Sequence, residues 1–469
     1  MKNIIKICLL FAVMGSYAQT TTKNYLKEST RRTASVGSLP VLGGTNAHVV
    51  TTTYYDGLGR PIQVVDQNSS PDDNKNIVTH IEYEKNIGQT KEFLPFLTTG
   101  HKTTTSGLPP RVSIITTYNS DYTDNAKAQT LAFYNTAKYE NTPNPYSENR
   151  TEASPRKRVK EAGFPGYNWS LNFYEEYGIT EDQRNTIRSS YGLNVSNEVK
   201  RFIVSTSFSD GTYKNNVSEN GFYPENTLAK AVVKNENWRI DDGSNNTIEE
   251  FKDSRGNMIL KRTYNKGEAH DTYYLYNDLD LLAFVLPPMA NGEVFGDHLD
   301  KWCYQYNYDA KKRLVEKKLP QKNWEYIVYD KSDRVVMTGP VYNPFGDGSK
   351  GWLITKYDNF GRSIYTGYYA GSTFSSAERN LMAQNSFTVE SKSASNTTID
   401  GITTRYTNTS FPTIFKLLSI NYYDNYSFPN APTSFPTIET QTVNTAVKGQ
   451  LTGSWTRVLA TAASTAGNL

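Results

Sequence analysis

Apolar and polar residues alternate in short runs along most of the chain. Stretches such as Pro61-Ile62-Gln63-Val64-Val65 and Met258-Ile259-Leu260 are bounded by Gly, Asn, Asp and Pro. A period of two broken by frequent turn residues predicts short β-strands joined by tight turns. Helical spacing is confined to residues 124–139, 181–189 and 376–384. The last of these opens on Ser376, with Glu378 close behind as a start signal. Strands are expected again around residues 420–428. The fold class is therefore mostly β, with a few short helices.

The first apolar run has another character. Lys2 and Lys6 flank or enter residues 4–14, and Gly15-Ser16-Tyr17-Ala18-Gln19 follows. Small residues at Ser16 and Ala18 read as a signal peptide cut between Ala18 and Gln19. The run is too short for a permanent span, so no transmembrane segment is expected and the destination is secreted or cell envelope. Cys8 lies inside the run and not after a lipobox. Once the leader is gone only Cys303 remains, which excludes an intrachain disulfide.

One pattern recurs. It has an aromatic residue, an acid or Asn, two variable residues, Gly or a substitute, then often Arg and an alternating stretch. It reads Tyr55-Asp56-Gly57-Leu58-Gly59-Arg60. A displaced form is Lys252-Asp253-Ser254-Arg255-Gly256-Asn257. Further copies are Tyr276-Asn277-Asp278-Leu279-Asp280, Tyr308-Asp309-Ala310-Lys311-Lys312-Arg313, Tyr329-Asp330-Lys331-Ser332-Asp333-Arg334 and Tyr357-Asp358-Asn359-Phe360-Gly361-Arg362, with a looser copy at residues 83–89. The Asp accepts a hydrogen bond from the backbone two residues on and starts a type I turn. The Gly supplies the positive φ that closes a bulged hairpin. Asp280, Lys312 and Asp333 at that position weaken the turn by about 1 kcal/mol without forbidding it. Each copy is one hairpin, and hairpins that cannot bury an apolar face alone must stack edge to edge.

Composition adds two points. Tyr is abundant, 34 against 20 Phe and 6 Trp, which suits strands with half-wet faces. Cross-strand pairing within the sheet accounts for the regular recurrence of Tyr, and carbohydrate-binding platforms are the second reading. Charge is nearly balanced at +3, and the leader carries two of those charges away, leaving +1. Nothing there calls for nucleic acid. Arg156-Lys157-Arg158 reads as a solvated loop.

Candidate chemistry is sparse. His48, His80, His101, His270 and His298 make no ligand spacing, so no metal is expected. Cys303 with His298 is a conceivable nucleophile pair, but an alternating strand over residues 302–306 accounts for Cys303 better. Asp72-Asp73, Glu175-Glu176, Asp241-Asp242 and Glu249-Glu250 are neighbours that a strand turns to opposite faces, which makes poor acid/base dyads. Residues 119–125 could offer oxygens to calcium, but a capped loop fits better because the Gly and Glu of an EF-hand are missing. No phosphate loop, dinucleotide fingerprint or nucleophile elbow occurs, so no cofactor and no catalytic residue is assigned.

These units resemble the YD repeats of Rhs and toxin-complex proteins. The stretches Tyr54 to Val65 and Ile81 to Phe96 resemble an uncharacterised domain at the start of Rhs-type proteins of Bacteroidota. Further pieces in the expected order include Ser154-Pro155, Pro165-Gly166-x-x-Trp169, Asn197-Glu198-Val199-Lys200 and Val285-Leu286-Pro287-Pro288. The resemblance implies antiparallel hairpins joined into a long curved sheet, part of a shell that encloses a C-terminal toxin. Here the repeats stop before the core motif and toxin of relatives, so the chain reads either as a truncated wall or as a stand-alone N-terminal part. Its expected parts are a leader at 1–18, an N-terminal β-module at 30–110, an irregular β-rich part with short helices at 111–245, a repeat array at 246–370, and a short helix followed by strands at 371–469. The expected role is a non-enzymatic scaffold tied to toxin encapsulation or surface interaction. An adhesin that binds carbohydrate or cell-surface glycans on the same scaffold is the alternative.

Overall fold

A computed structural model of the protein describes residues 23–31, 48–67, 69–70, 75–84, 91–98, 122–171, 185–371, 373–435, 437, 444–459 and 467–468. The expected leader, with its junction at Ala18 and Gln19, lies outside them. The described chain is mostly antiparallel β with short helices. It divides into two units. One comprises residues 1–191, 231–248 and 264–267, and the other residues 192–230, 249–263 and 268–469.

In the first unit the strands Asn24–Arg31, His48–Tyr55, Pro61–Gln67, Ile77–His80 and Phe96–Leu97 form one sheet in that order. Strand alternation sends Tyr54, Val65, Val78 and Phe96 to a small core, where Ala126 of the helix Ala126–Tyr134 meets them. Gln63 shares the buried face, and its amide is satisfied there: it donates to Thr123 O at 3.0 Å and accepts from Thr123 N at 2.8 Å. A second antiparallel run joins Lys91–Phe93, Tyr146–Thr151 and Val159–Gly163, and Glu161 is then paired with Arg188.

The second unit holds the longer run. Strands Glu268–Tyr276, Leu282–Leu286, Tyr304–Asp309, Leu314–Lys318, Glu325–Tyr329, Val335–Tyr342, Lys350–Tyr357, Ser363–Tyr369, Lys416–Tyr423 and Leu451–Arg457 pair successively, each antiparallel to the last. The hairpin Lys200–Ser209 with Thr212–Phe222 joins at Tyr304–Asp309 through Thr212 and Tyr213. One core gathers Phe251, Leu260, Phe284, Leu286 and Cys303, and another gathers Trp352, Ile354, Tyr365, Leu417 and Ile420.

Several expectations need correction. Residues 187–189 belong to the strand Ile187–Leu193 and not to a helix, because Ile187 pairs with Ala162. The start of that segment, residues 181–184, lies outside the described residues. Trp302 ends a one-turn helix, His298–Trp302, so Cys303 is the residue after a helix and the strand begins at Tyr304. The helix Ser376–Asn385 is capped by Ser375 and not Ser376. Ser375 accepts from Glu378 N while the Glu378 carboxylate accepts from Ser375 N, a reciprocal box that needs a spacing of three. The helix over residues 124–139 runs as Ala126–Tyr134 followed by the 3-10 turn Ala137–Tyr139.

Candidate functional site

The recurring turns share one geometry. At Asp358 the Oδ1 atom accepts from Phe360 N at 2.9 Å and from Arg362 N at 3.0 Å, while Oδ2 accepts from Arg362 Nε at 2.7 Å. The backbone closes with Gly361 N on Asp358 O and Asp358 N on Arg362 O, both at 3.0 Å. Asp309 binds Lys311 N, Arg313 N and Arg313 Nε in the same way, and Asp330 binds Ser332 N, Arg334 N and Arg334 Nε. Asp56 does so with Leu58 N and with the amide and Nε of Arg60. The φ values at the fourth position are +77° for Gly59 and Gly361, and +62°, +63° and +61° for Asp280, Lys312 and Asp333. The turn therefore keeps its shape where Gly is replaced, because one side-chain oxygen of the Asp or Asn holds two amides at once. In the displaced copy Asp253 accepts from Arg255 N and Asn257 N, and Gly256 sits at φ +90°. Asn277 binds Leu279 N and Leu281 N with its amide oxygen alone.

The hairpins are also joined to each other. The Tyr that opens one copy donates its hydroxyl to the carbonyl just past the closing residue of the copy before. Tyr308 reaches Leu282 O at 2.7 Å, Tyr329 reaches Leu314 O at 3.0 Å and Tyr357 reaches Val335 O at 2.8 Å. The closing Arg lies over the next ring: Arg313 is 4.5 Å from the Tyr329 centroid and Arg334 is 4.7 Å from that of Tyr357. Ion pairs bridge neighbouring turns at Arg255 with Asp280, at Arg313 with Asp333, and at Arg362 with Asp424. Each strand entering such a turn shifts register at the opening Tyr, as at Val328/Tyr329 and Lys356/Tyr357. Burial holds the Tyr308 hydroxyl up at about 12, so it stays protonated and can donate.

Two members of the series are not evident in sequence. Tyr423 donates to Ser363 O at 3.1 Å under Arg362, 4.3 Å from its centroid, and Asp424 accepts from Gly449 N. In the first unit Glu152 takes the acid's place. It accepts from Nε and Nη2 of Arg158, both at 2.9 Å, and Glu152 N donates to Arg158 O. Arg158 lies 4.2 Å from the Tyr191 centroid, and Tyr191 donates to Val159 O at 2.9 Å. Arg158 is thus a structural member of a turn and not part of a solvated run. A longer loop and a Glu hid it.

The remaining candidates resolve as follows. Cys303 is fully buried and burial pushes its thiol up to about 11, which disfavours the thiolate a nucleophile needs. His298 Nδ1 faces Glu293 at 3.2 Å. Asp241 and Asp242 lie in a 3-10 turn and not a strand. Glu249 faces Lys230 while Glu250 faces Lys252, as alternation requires. Asn125 precedes its helix in the left-handed region without a side-chain cap, and residues 119–121 of that loop lie outside the described residues, as do Asp72, Asp73, Glu175 and Glu176. No metal-holding cluster occurs among the described residues. No described helix is long and apolar enough to cross a membrane. A shallow cavity of about 60 Å³ is lined by Tyr223, Arg255, Tyr273 and Tyr274 among others. Sequence reading also missed the buried Glu316. It accepts from Lys214 at 2.5 Å, Asn307 at 2.8 Å, Ser376 at 3.2 Å and Arg379, and so ties the helix Ser376–Asn385 to the sheet. Burial alone would raise its carboxyl, but Lys214, Asn307 and Arg379 outweigh it and hold it below the ordinary value.

Residues 28–182 match a family described as a domain of unknown function, DUF6443. That stretch contains both the Asp56 and the Glu152 turns. No curated protein matches the chain. Among solved structures the chain is similar to TcdB2-TccC3-Cdc42, with 11% identity and a TM-score of 0.41, covering 88% of this chain and 17% of that one. It is similar also to the Photorhabdus luminescens Tc holotoxin pore, with 11% identity and a TM-score of 0.38, covering 84% of this chain and 16% of that one. The chain thus spans about a sixth of the length of these structures. TM-scores of this size leave the fold to be argued from the protein's own strands and turns.

Proposed function

We propose that the protein is a non-catalytic wall segment of an exported, Rhs-type YD-repeat protein, serving toxin encapsulation or contact between cells. The observation that supports this is the chain of interlocked turns. In the copies that open at Tyr308, Tyr329 and Tyr357 the Asp binds the Arg, and the Tyr and the Arg reach the neighbouring copies, so the most regular residues of the sequence act on the sheet itself. A partner toxin would be supplied by sequence beyond Leu469 or by another chain. Reading the DNA downstream of Leu469 tests the proposal: a frame continuing into a core motif and a toxin supports it. A stop codon, together with binding on a glycan array, would replace it with the adhesin reading. Export is tested by the mature N-terminus of the protein recovered from its host. A start at Gln19 supports export, and residues 1–18 intact would sink it.

A further inference from the structure

The second unit holds a buried amine in contact with a carboxamide and a carboxylate. Lys356 is 3% exposed and Glu390 is fully buried. The Lys356 ammonium donates to Glu390 Oε1 at 3.2 Å, to Ser410 O at 2.7 Å and to Asn408 Oδ1. Three segments meet there: the strand Lys350–Tyr357, the bridging residue Glu390, and the chain that follows the strand Ile402–Tyr406. The Phe415 ring lies 5.0 Å from Nζ. Each partner is separately fixed. The Asn408 amide nitrogen donates to Thr413 O at 2.8 Å. The Glu390 carboxylate accepts from Thr407 Oγ1 at 2.6 Å, Thr409 N at 2.9 Å and Ser410 N at 2.9 Å.

We propose that Lys356 and Asn408 become joined by an isopeptide bond that the folded chain forms itself, with Glu390 carrying the protons. Glu390 takes a proton from the Lys356 ammonium. The freed amine attacks Cγ of Asn408, a C–N bond forms, and the carbonyl electron pair moves to Oδ1. As the pair returns, the bond from Cγ to Nδ2 breaks. Glu390 hands its proton to the departing nitrogen, and the second proton on Nζ follows. An ammonium and a carboxamide thus become a secondary amide and an ammonium ion, with no oxidant, reductant or second molecule required.

The surroundings favour this step. Burial lowers the pKa of Lys356, which makes the neutral amine easier to reach. Burial alone would raise the Glu390 carboxyl, but the Thr407 hydroxyl and the Thr409 and Ser410 amides outweigh it and keep the group an acceptor. Holding the buried amine against the carboxamide gives a high effective concentration. Thr413 O orients the leaving nitrogen and does not compete with the attacking one. The inference is independent of the scaffold proposal.

The test is mass spectrometry of the full-length wild-type protein, intact and after proteolysis. The expected result is a deficit of ~17 Da, the mass of one ammonia, with a branched peptide joining Lys356 to residue 408. Full mass and two unbranched peptides overturn it and leave an ordinary hydrogen-bonded ion pair. Glu390→Gln should lose most of the branched peptide, and an undiminished yield would overturn the proton-carrier role. The wild-type mass is decisive whether or not any variant folds.

Discussion

The Asp358 and Asn277 turns bend the backbone alike and differ in everything added to it. Both hold two amides on one side-chain oxygen and both place the fourth residue at positive φ. At Asp358 the second carboxylate oxygen also grips Arg362, which stacks on Tyr423 and reaches Asp424. At Asn277 the closing residue is Leu281, and beside the paired strands the link to the next hairpin is the Tyr308 hydroxyl. The acid or Asn therefore makes the turn, and the Arg fastens one turn to the next.

Substitutions can break that division of labour. Asp358→Ala removes an acceptor for two amides and a guanidinium at a site that is 5% exposed, and should cost about 3 kcal/mol in denaturant unfolding. Asn277→Ala, which loses the two amide contacts and the donation from Asn277 Nδ2 to Asn215 Oδ1, should cost about 1.5 kcal/mol. Equal costs would show that the Arg adds nothing. Arg334→Leu keeps the two amides on Asp330 but removes the guanidinium from its carboxylate and the stack on Tyr357, for a loss of about 1.5 kcal/mol. Lys312→Gly should stabilise by about 0.5 kcal/mol, since relief of the left-handed strain exceeds the added freedom of the unfolded chain. The Glu152 turn offers a pH test. Bonds from Arg158, then Ser154, lower its carboxyl from 4.5 to about 2. A depressed carboxyl contributes fully above its unfolded pKa and loses that contribution as pH falls through the folded one. Melting temperature should therefore drop between pH 4.5 and about 2, and less steeply in Glu152→Gln.

Much of this was legible because the turn is local. The carboxylates of Asp56, Asp309, Asp330 and Asp358 lie within four residues of the turn amides and guanidinium they bind, so spacing alone exposes them. The Glu152 turn was not legible: its Arg comes six residues after the acid, and Glu replaces Asp. Links between hairpins, such as Tyr423 to Ser363, depend on which strands pair. The site at Lys356, Glu390 and Asn408 is beyond any local pattern, with sequence separations of 34 from Lys356 to Glu390 and 52 from Lys356 to Asn408. Cys303 was misplaced because an aromatic alternation runs straight through a helix end.

The tyrosine bonds have a mechanical consequence. Each ring in the series reaches one hairpin back, so no interior hairpin can detach without tearing out the ring of its successor. Tension applied across the sheet would load these anchors along with the ladder bonds. The array should resist stretching as a laced seam does, giving way stitch by stitch from an end.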